Sequence, residues 1–365
     1  MYFRQQVPIL SGVYRPVDTR RFIMITMGGY WPVIQTLSNG DLGVVTRDGA
    51  GHIGARGRLV WITSPDGGES WSHATVISDD GPDDRNPAFG IAADGTLLAS
   101  FIRADRYVDG NWTPEKDRGG STPMWVSRSN DNGDTWGDAE LVEGQGNEKM
   151  SYADGTGPDD RHRYYSPFGK MITLADGTIL MGYGISTTEK PGAGAAFLIR
   201  SHDGGRTWID SVNLGEGYGE PAIFHVAGDR FMAMLRGTTD FTGLAQIDSE
   251  DGGYTWSEPR KITVNAEHPG DVIRLQDGRL LLTYGRRATP YGIQGMVSGD
   301  DGRTWDENNK ILLVGDSARS DQGYPSTIQR DDGTIVTVYY SHQLYLGEGE
   351  LGIHGAAVIY RPEDL

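Results

Sequence analysis

The chain contains no cysteine. That excludes a disulfide framework, a thiolate metal site and a cysteine nucleophile. No apolar run approaches the ~20 residues needed for a membrane-spanning helix, and no long stretch repeats apolar residues at helical spacing. Basic residues are few, 33 Lys and Arg against 50 Asp and Glu, for a formal net charge of -17. Such a chain repels nucleic acid and anionic membrane surfaces, so neither is expected as a partner, and an acidic substrate requires a local basic pocket. No His or carboxylate spacing resembles a zinc or EF-hand site, and no glycine-rich strand-to-helix element suggests a nucleotide. No metal and no cofactor are therefore expected. The N-terminus, MYFRQQVPILSGVYRP, lacks an apolar signal region followed by a cleavage site. As written the sequence reads as cytoplasmic, or as secreted if a leader has been removed. Its oligomeric state is not legible.

What the chain has is repetition. Five octapeptides fit Ser-x-Asp-x-Gly-x-Ser/Thr-Trp: SPDGGESW from Ser64, SNDNGDTW from Ser129, SHDGGRTW from Ser201, SEDGGYTW from Ser249 and SGDDGRTW from Ser298. A fixed motif repeated at this scale indicates a propeller or an array. Six hairpin-like stretches accompany the boxes, beginning near Trp31, Pro87, Pro167, Pro221, Pro269 and Pro325. Several turn on Asn-Gly or Asp-Gly, which suit the type I′ turn. With four antiparallel strands per blade, each hairpin supplies strands one and two, and each box follows strand three. The sixth unit has no box because the chain ends after IHGAAVIYRP. The expectation is an all-β, six-bladed propeller forming a single domain over residues 1–365. A strand near Pro8 to Tyr14 is expected to complete the last blade, close the ring and remove free sheet edges. The boxes read as structural: Asp and Ser accept backbone N–H groups in the turn, and Trp buries a large area.

This topology gathers the starts of strand one and the ends of strand two at one mouth. The starts carry Trp31, Arg85, Glu220, His268 and Tyr324; the ends carry Arg47, Arg103, Arg236, Arg286 with Arg287, and Tyr340. Several arginines thus converge in an otherwise acidic protein, which is the basic pocket an acidic substrate requires. Asp84 and Arg85 are expected to pair with each other. The insertion from Asp105 to Thr122, with Trp112, reads as a binding element or lid.

At this point the sequence resembles the sialidase (neuraminidase) superfamily of Asp-box, BNR-repeat propellers. The resemblance implies an arginine triad for a substrate carboxylate, a Tyr–Glu nucleophile pair and an Asp acid/base from the first blade. Glu220 in GYGEPAIF, Arg236 in MAMLRG, Arg286 or Arg287 after LLLTYG, and Tyr324 in DQGYPS match in order and strand context. Two positions depart from the pattern. The first inner strand reads Tyr30-Trp31-Pro32-Val33, with Trp31 where the family has its first arginine. The loop RDGAGHIGARGRL offers Asp48 and His52 as proton donors, and neither aligns cleanly.

The implied function is an exo-acting glycosidase cleaving a terminal acidic sugar from a glycan or glycoconjugate. Tyr324 is the nucleophile, Glu220 its base and Asp48 the donor, with His52 second. Arg236, Arg286, Arg287, Arg47, Arg85, Trp31 and His268 are expected to line the substrate site. Two alternatives stay open. One is a lyase acting on a uronate, with Tyr324 or Tyr340 and His52 or His268 moving protons. The other is a glycan-binding propeller that uses Trp31 and Trp112 as stacking platforms.

Overall fold

The computed structural model describes residues 3–4, 14–81, 83–104, 107–108, 111–112, 122–142, 163–187, 194–344 and 350–365. Among these the fold is all-β, a propeller-like arrangement of small antiparallel sheets. The first sheet runs Tyr30–Thr36, Leu42–Asp48, Arg58–Ser64, Thr75–Ser78. Asp84–Ile91, Leu97–Arg103, Met124–Ser129 and Glu140–Leu141 follow in the same order. Next come Arg163–Thr173, Ile179–Thr187, Gly194–Ser201 and Ile209–Glu216. A short parallel pairing of Gly169 and Lys170 with Ala88 and Phe89 joins these last two groups. Two further four-strand units start at Tyr218–Ala227 and Glu267–Arg274.

The last sheet combines Gly323–Gln329, Ile335–Leu344 and Glu350–Tyr360 with Arg20–Thr26 from near the start of the chain. The expected partner strand was Pro8 to Tyr14. Residues 8–13 lie outside the described residues, and Tyr14 instead runs parallel to Lys310–Ser317. Arg20–Thr26 suits the role because its alternation buries Phe22 and Met24. They enter one core with Ile34, Val44 and Ile62 of the first sheet and Val336, Val338 and Ile359 of the last. Inner strands touch their neighbours in chain order, and Gly323–Gln329 touches Tyr30–Thr36.

A bulge near the start of the inner strand recurs. One extra residue separates Tyr30 from Val33, Arg85 from Ala88, Gly219 from Ala222, Glu267 from Gly270 and Gly323 from Ser326, relative to the paired strand. In four of these bulges the residue before a proline is left-handed: Trp31, Asn86, Glu220 and Tyr324 have φ of 51°, 54°, 45° and 53°. A proline disfavours the right-handed helical region for the residue before it. A non-glycine residue held left-handed costs about 1–3 kcal/mol. The surrounding sheets supply that energy, and the bulge re-aims one side chain per strand toward the mouth. Arg163–Thr173 differs, with its irregularity lower down, between Phe168 and Ile172.

At the opposite ends, the boxes form self-contained turns. In the first, Ser64 Oγ donates to Asp66 Oδ1 (2.9 Å) and accepts from Gly68 N–H (2.7 Å), while Asp66 Oδ1 accepts from Ser70 N–H (2.8 Å). The same pattern recurs around Asp131, Asp203, Asp251 and Asp300. The box tryptophans pack inward, Trp208 completely.

Candidate active site at the mouth of the inner strands

Register decides which side chains meet. Tyr30 lies opposite Arg47, Gly219 opposite Arg236, Glu267 opposite Arg286 and Gly323 opposite Tyr340. Glu220 and Tyr324 each follow such a paired residue, on the bulge. They meet although 104 positions apart: the Tyr324 hydroxyl donates to Glu220 Oε1 at 2.5 Å. Arg236 Nη1 donates to both Glu220 oxygens at 2.9 Å and to the Tyr324 hydroxyl at 3.2 Å. Burial and the Glu220 carboxylate push the Tyr324 phenol well above its ordinary pKa, against the pull of Arg236 and Arg287. Tyr324 is therefore a neutral phenol whose proton already points at a carboxylate.

Of the two adjacent arginines, Arg287 joins this group. Its guanidinium carbon lies 5.4 Å from the Tyr324 ring centre, and Nη2 donates to the Tyr340 hydroxyl at 3.4 Å. Among the described residues Arg287 pairs with no carboxylate, so its charge is available to a ligand. Burial opposes that charge, but Tyr340, Tyr324 and Glu220 hold its pKa above the ordinary value. Arg286 turns away, to the buried Glu267 (2.9 Å) and the Thr289 carbonyl (3.1 Å). His268 is buried, and burial together with Arg236 and Arg287 lowers its pKa to about 2. It stays neutral, and its Nδ1 has no hydrogen-bond partner among the described residues.

Three further expectations need correction. Arg47 does not open onto the mouth: it is 0% exposed. Its Nε donates to Asp83 Oδ1 (2.7 Å), Nη1 to the Ala50 (3.3 Å) and Gly51 (2.9 Å) carbonyls, and Nη2 to the Gly54 carbonyl (3.1 Å). Gly57 makes room for this pair, since a Cβ there would lie 1.9 Å from Asp83 Oδ1 and 2.3 Å from Arg47 Nε. Arg47 thus ties down the loop that carries His52. Asp48, expected as proton donor, is engaged by Arg58 through bonds of 2.7 and 3.3 Å. Arg85 pairs with Asp83 (3.3 Å) rather than with Asp84, which instead accepts from Ser78 (2.6 Å).

The Arg85 guanidinium carbon lies 4.8 Å from the centre of the Trp31 ring. Trp31 is mostly buried and meets Tyr324 and His52 edge-on, with ring centres 6.2 and 5.2 Å apart. The side chains from 105 to 121, Trp112 included, lie outside those described.

Sequence reasoning passed over Asp321, three residues before Tyr324. It accepts from the Tyr340 hydroxyl at 2.7 Å, meets His52 Nδ1 at 2.8 Å and has His342 Nε2 at 3.7 Å. Burial raises its pKa, but the two histidines and Tyr340 hold the carboxyl well below the usual range. The available signal was its place in the turn leading into the last inner strand.

A pocket of ≈ 230 Å³ adjoins Glu220 and Arg236, lined also by Asn86, Tyr164, Ser166, Tyr218 and Thr238. Gly184, Ile185 and Gly194 add to the lining, so an apolar wall faces the polar edge formed by Glu220, Arg236 and Thr238. Farther along the axis, Lys170 donates to Asp271 (2.6 Å) and to the Thr327 carbonyl, and Asp271 accepts from Thr327 N–H (2.6 Å). Among the described residues no group of three His, Asp or Glu is placed to hold a metal, and no helix is long and apolar enough to cross a membrane.

Residues 160–337 match the family model described as a BNR repeat-like domain. No curated protein matches the chain. Among solved structures, a Dyadobacter fermentans protein of unknown function is 22% identical with a TM-score of 0.74, covering 96% of this chain and 100% of its own. The Hadza microbial sialidase Hz136 is 19% identical with a TM-score of 0.70, over 93% of this chain and 67% of its own. Trypanosoma rangeli sialidase in complex with sialic acid is 13% identical with a TM-score of 0.66, over 100% of this chain and 58% of its own. At these identities the structural likeness concerns the fold. The BNR repeat-like match over residues 160–337 and the fold shared with solved sialidases support the resemblance read from the sequence.

Proposed function

We propose that this protein is an exo-acting glycosidase of the sialidase type, cleaving a terminal sugar that carries a carboxylate. The observation that carries this reading is the shared hydrogen-bonded group of Tyr324, Glu220 and Arg236, drawn from two distant inner strands and the strand paired with one of them. We also propose that the sheets form six blades, with Arg20–Thr26 clasping the last; the pairing of that strand with Glu350–Tyr360 supports this.

The chemistry follows from charge. A carboxylate next to the anomeric carbon repels an incoming carboxylate nucleophile. A neutral phenol avoids that repulsion, and Glu220 takes its proton as the oxygen attacks. Arg236 keeps Glu220 oriented as an acceptor. Arg287, without a carboxylate partner among the described residues, supplies the charge for the sugar's carboxylate, and guanidinium geometry allows two parallel hydrogen bonds there. With Trp31 in place of a third arginine, the grip relies on fewer cations. The pocket beside Glu220, with one apolar wall and a polar edge, receives the rest of the sugar.

The test is turnover of fluorogenic aryl glycosides of sialic acid, then of uronic acids and deoxy sugars. Whichever is cleaved, Tyr324→Phe is expected to lower kcat by about 10³-fold or more. Unchanged turnover in that variant would eliminate the mechanism. An unsaturated, ultraviolet-absorbing product would replace hydrolysis with elimination.

A further inference from the structure

We infer that His52, held by Asp321, is the group that gives the proton to the leaving oxygen and later activates water; this rests on the glycosidase reading above. His52 sits in the loop between the second and third strands of the first sheet, and Asp321 in the turn before the last inner strand. They meet across 269 positions at 2.8 Å. Each side chain is 34% exposed, so the pair borders solvent at the mouth and is no core contact.

The arrangement is built rather than incidental. Arg47 fixes the loop through three of its carbonyls. Trp31 and Tyr30 flank the imidazole edge-on, with ring centres 5.2 and 5.7 Å away. Tyr30 also bonds the His52 backbone. Asp321 is itself anchored by the Tyr340 hydroxyl, with His342 on its other side.

With Nδ1 directed at a carboxylate, the tautomer is set and Nε2 is left to exchange protons, the logic of an Asp-oriented histidine. A continuous set of contacts then leads from His52 through Asp321, Tyr340 and Arg287 to Tyr324. Asp48, the carboxylate alternative on the same loop, is taken up by Arg58.

The steps balance. As the Tyr324 oxygen bonds the anomeric carbon, its proton passes to Glu220. The glycosidic C–O bond breaks, and its electron pair stays with the leaving oxygen, which takes the Nε2 proton of His52 in its imidazolium form and leaves a neutral ring with Nδ1–H on Asp321. In the second step neutral His52 removes a proton from water, and the water oxygen bonds the anomeric carbon. The bond to Tyr324 breaks, and its oxygen recovers the proton from Glu220. Asp321 is a positioning residue throughout.

The experiment compares two glycosides of the sugar that the wild type cleaves, one with an aryl leaving group of low pKa and one linked to a second sugar. The first needs little protonation to depart, whereas the second depends on it. His52→Ala and His52→Gln are expected to lower kcat/KM on the sugar-linked substrate by about 10²–10⁴-fold. Their loss on the aryl glycoside should stay below about 10-fold. Asp321→Asn should show the same split with a smaller loss, its thermal melting close to wild type. Equal loss on both substrates, or none on either, would overturn the assignment. Tyr324→Phe separates the two readings: it should abolish turnover of both substrates, and if it does not, the glycosidase reading itself fails.

Discussion

The two ends of the inner strands differ in where their polar side chains find partners. At the box end, each Ser, Asp and Ser/Thr side chain is satisfied inside its own eight-residue turn. At the mouth, four non-glycine residues are left-handed. There Trp31 Nε1, Arg236 Nε, Arg287 Nε and His268 Nδ1 are buried without a hydrogen-bond partner among the described residues. A buried unpaired polar atom costs about 1–3 kcal/mol. Left-handed residues and unpaired indole N–H groups occur at the box end too, at Asn132, Asp301, Trp136 and Trp208 among the described residues. At that end, however, the left-handed residues sit inside turns closed by their own hydrogen bonds, whereas at the mouth they carry side chains that a ligand can satisfy. Strain collected beside convergent charges is a physical mark of a functional site.

Substitutions at the mouth should separate function from stability. The largest effect after loss of the nucleophile is expected from Glu220→Gln, which removes the acceptor for the Tyr324 proton. We expect kcat to fall by about 10²–10⁴-fold. A kcat near wild type would show that another group takes the phenolic proton. Arg47→Met tests the opposite kind of arginine. It removes the closer of the two arginines that pair with the buried Asp83, at about 3–5 kcal/mol, so thermal melting should drop by about 5 °C. Arg287→Met should leave melting within about 1 °C of wild type. It should raise KM for the acidic sugar by roughly 10–100-fold, the worth of one charged hydrogen bond. If these two arginine variants exchanged behaviours, the division between structural and ligand-facing guanidinium groups would collapse.

That pair of arginines also marks how far the sequence reaches. The boxes, the hairpins and the mouth positions of Glu220, Arg236 and Tyr324 were legible because they follow from local turn chemistry and strand alternation. Arg47 and Arg287 carry the same local signal, an arginine at the end of a second strand. Their difference lies in what comes from elsewhere: Asp83, on the approach to the next sheet, neutralises Arg47, whereas Tyr340 of the last sheet meets Arg287. The choice of Arg287 over Arg286 likewise turns on Glu267, whose burial no periodicity reveals. Asp321 was missed because an aspartate in a turn is ordinary, and only the return of the last sheet to the first sets it beside His52. The strand Arg20–Thr26 was overlooked for a similar reason. Its alternating pattern was present, but the choice between it and the segment before it depended on which one packs against Ile34 and Val336.

The box end offers the smallest and most specific prediction. In Asp131, Asp251 and Asp300 the hydroxyl and N–H of the box threonine hold the carboxyl down to about 2. An unfolded aspartate titrates near ~3.9. A depressed folded value means the contribution is fully present above the unfolded pKa and is lost as pH falls toward the folded one. Box stabilisation should therefore be constant above pH ~5 and fade between pH ~4 and ~2. Pairing Asp131→Asn with Asp300→Asn should lower thermal melting at pH 6 by about 1–3 °C. Activity at pH 6 should be unchanged, because neither residue belongs to the mouth. The gap to wild type should narrow steadily as the pH is lowered to ~2.5. A gap that stays constant with pH would mean the carboxylates act through turn shape and not through charge. A change in KM at pH 6 would show that the two ends are mechanically coupled, and the separation of stability from function would no longer hold.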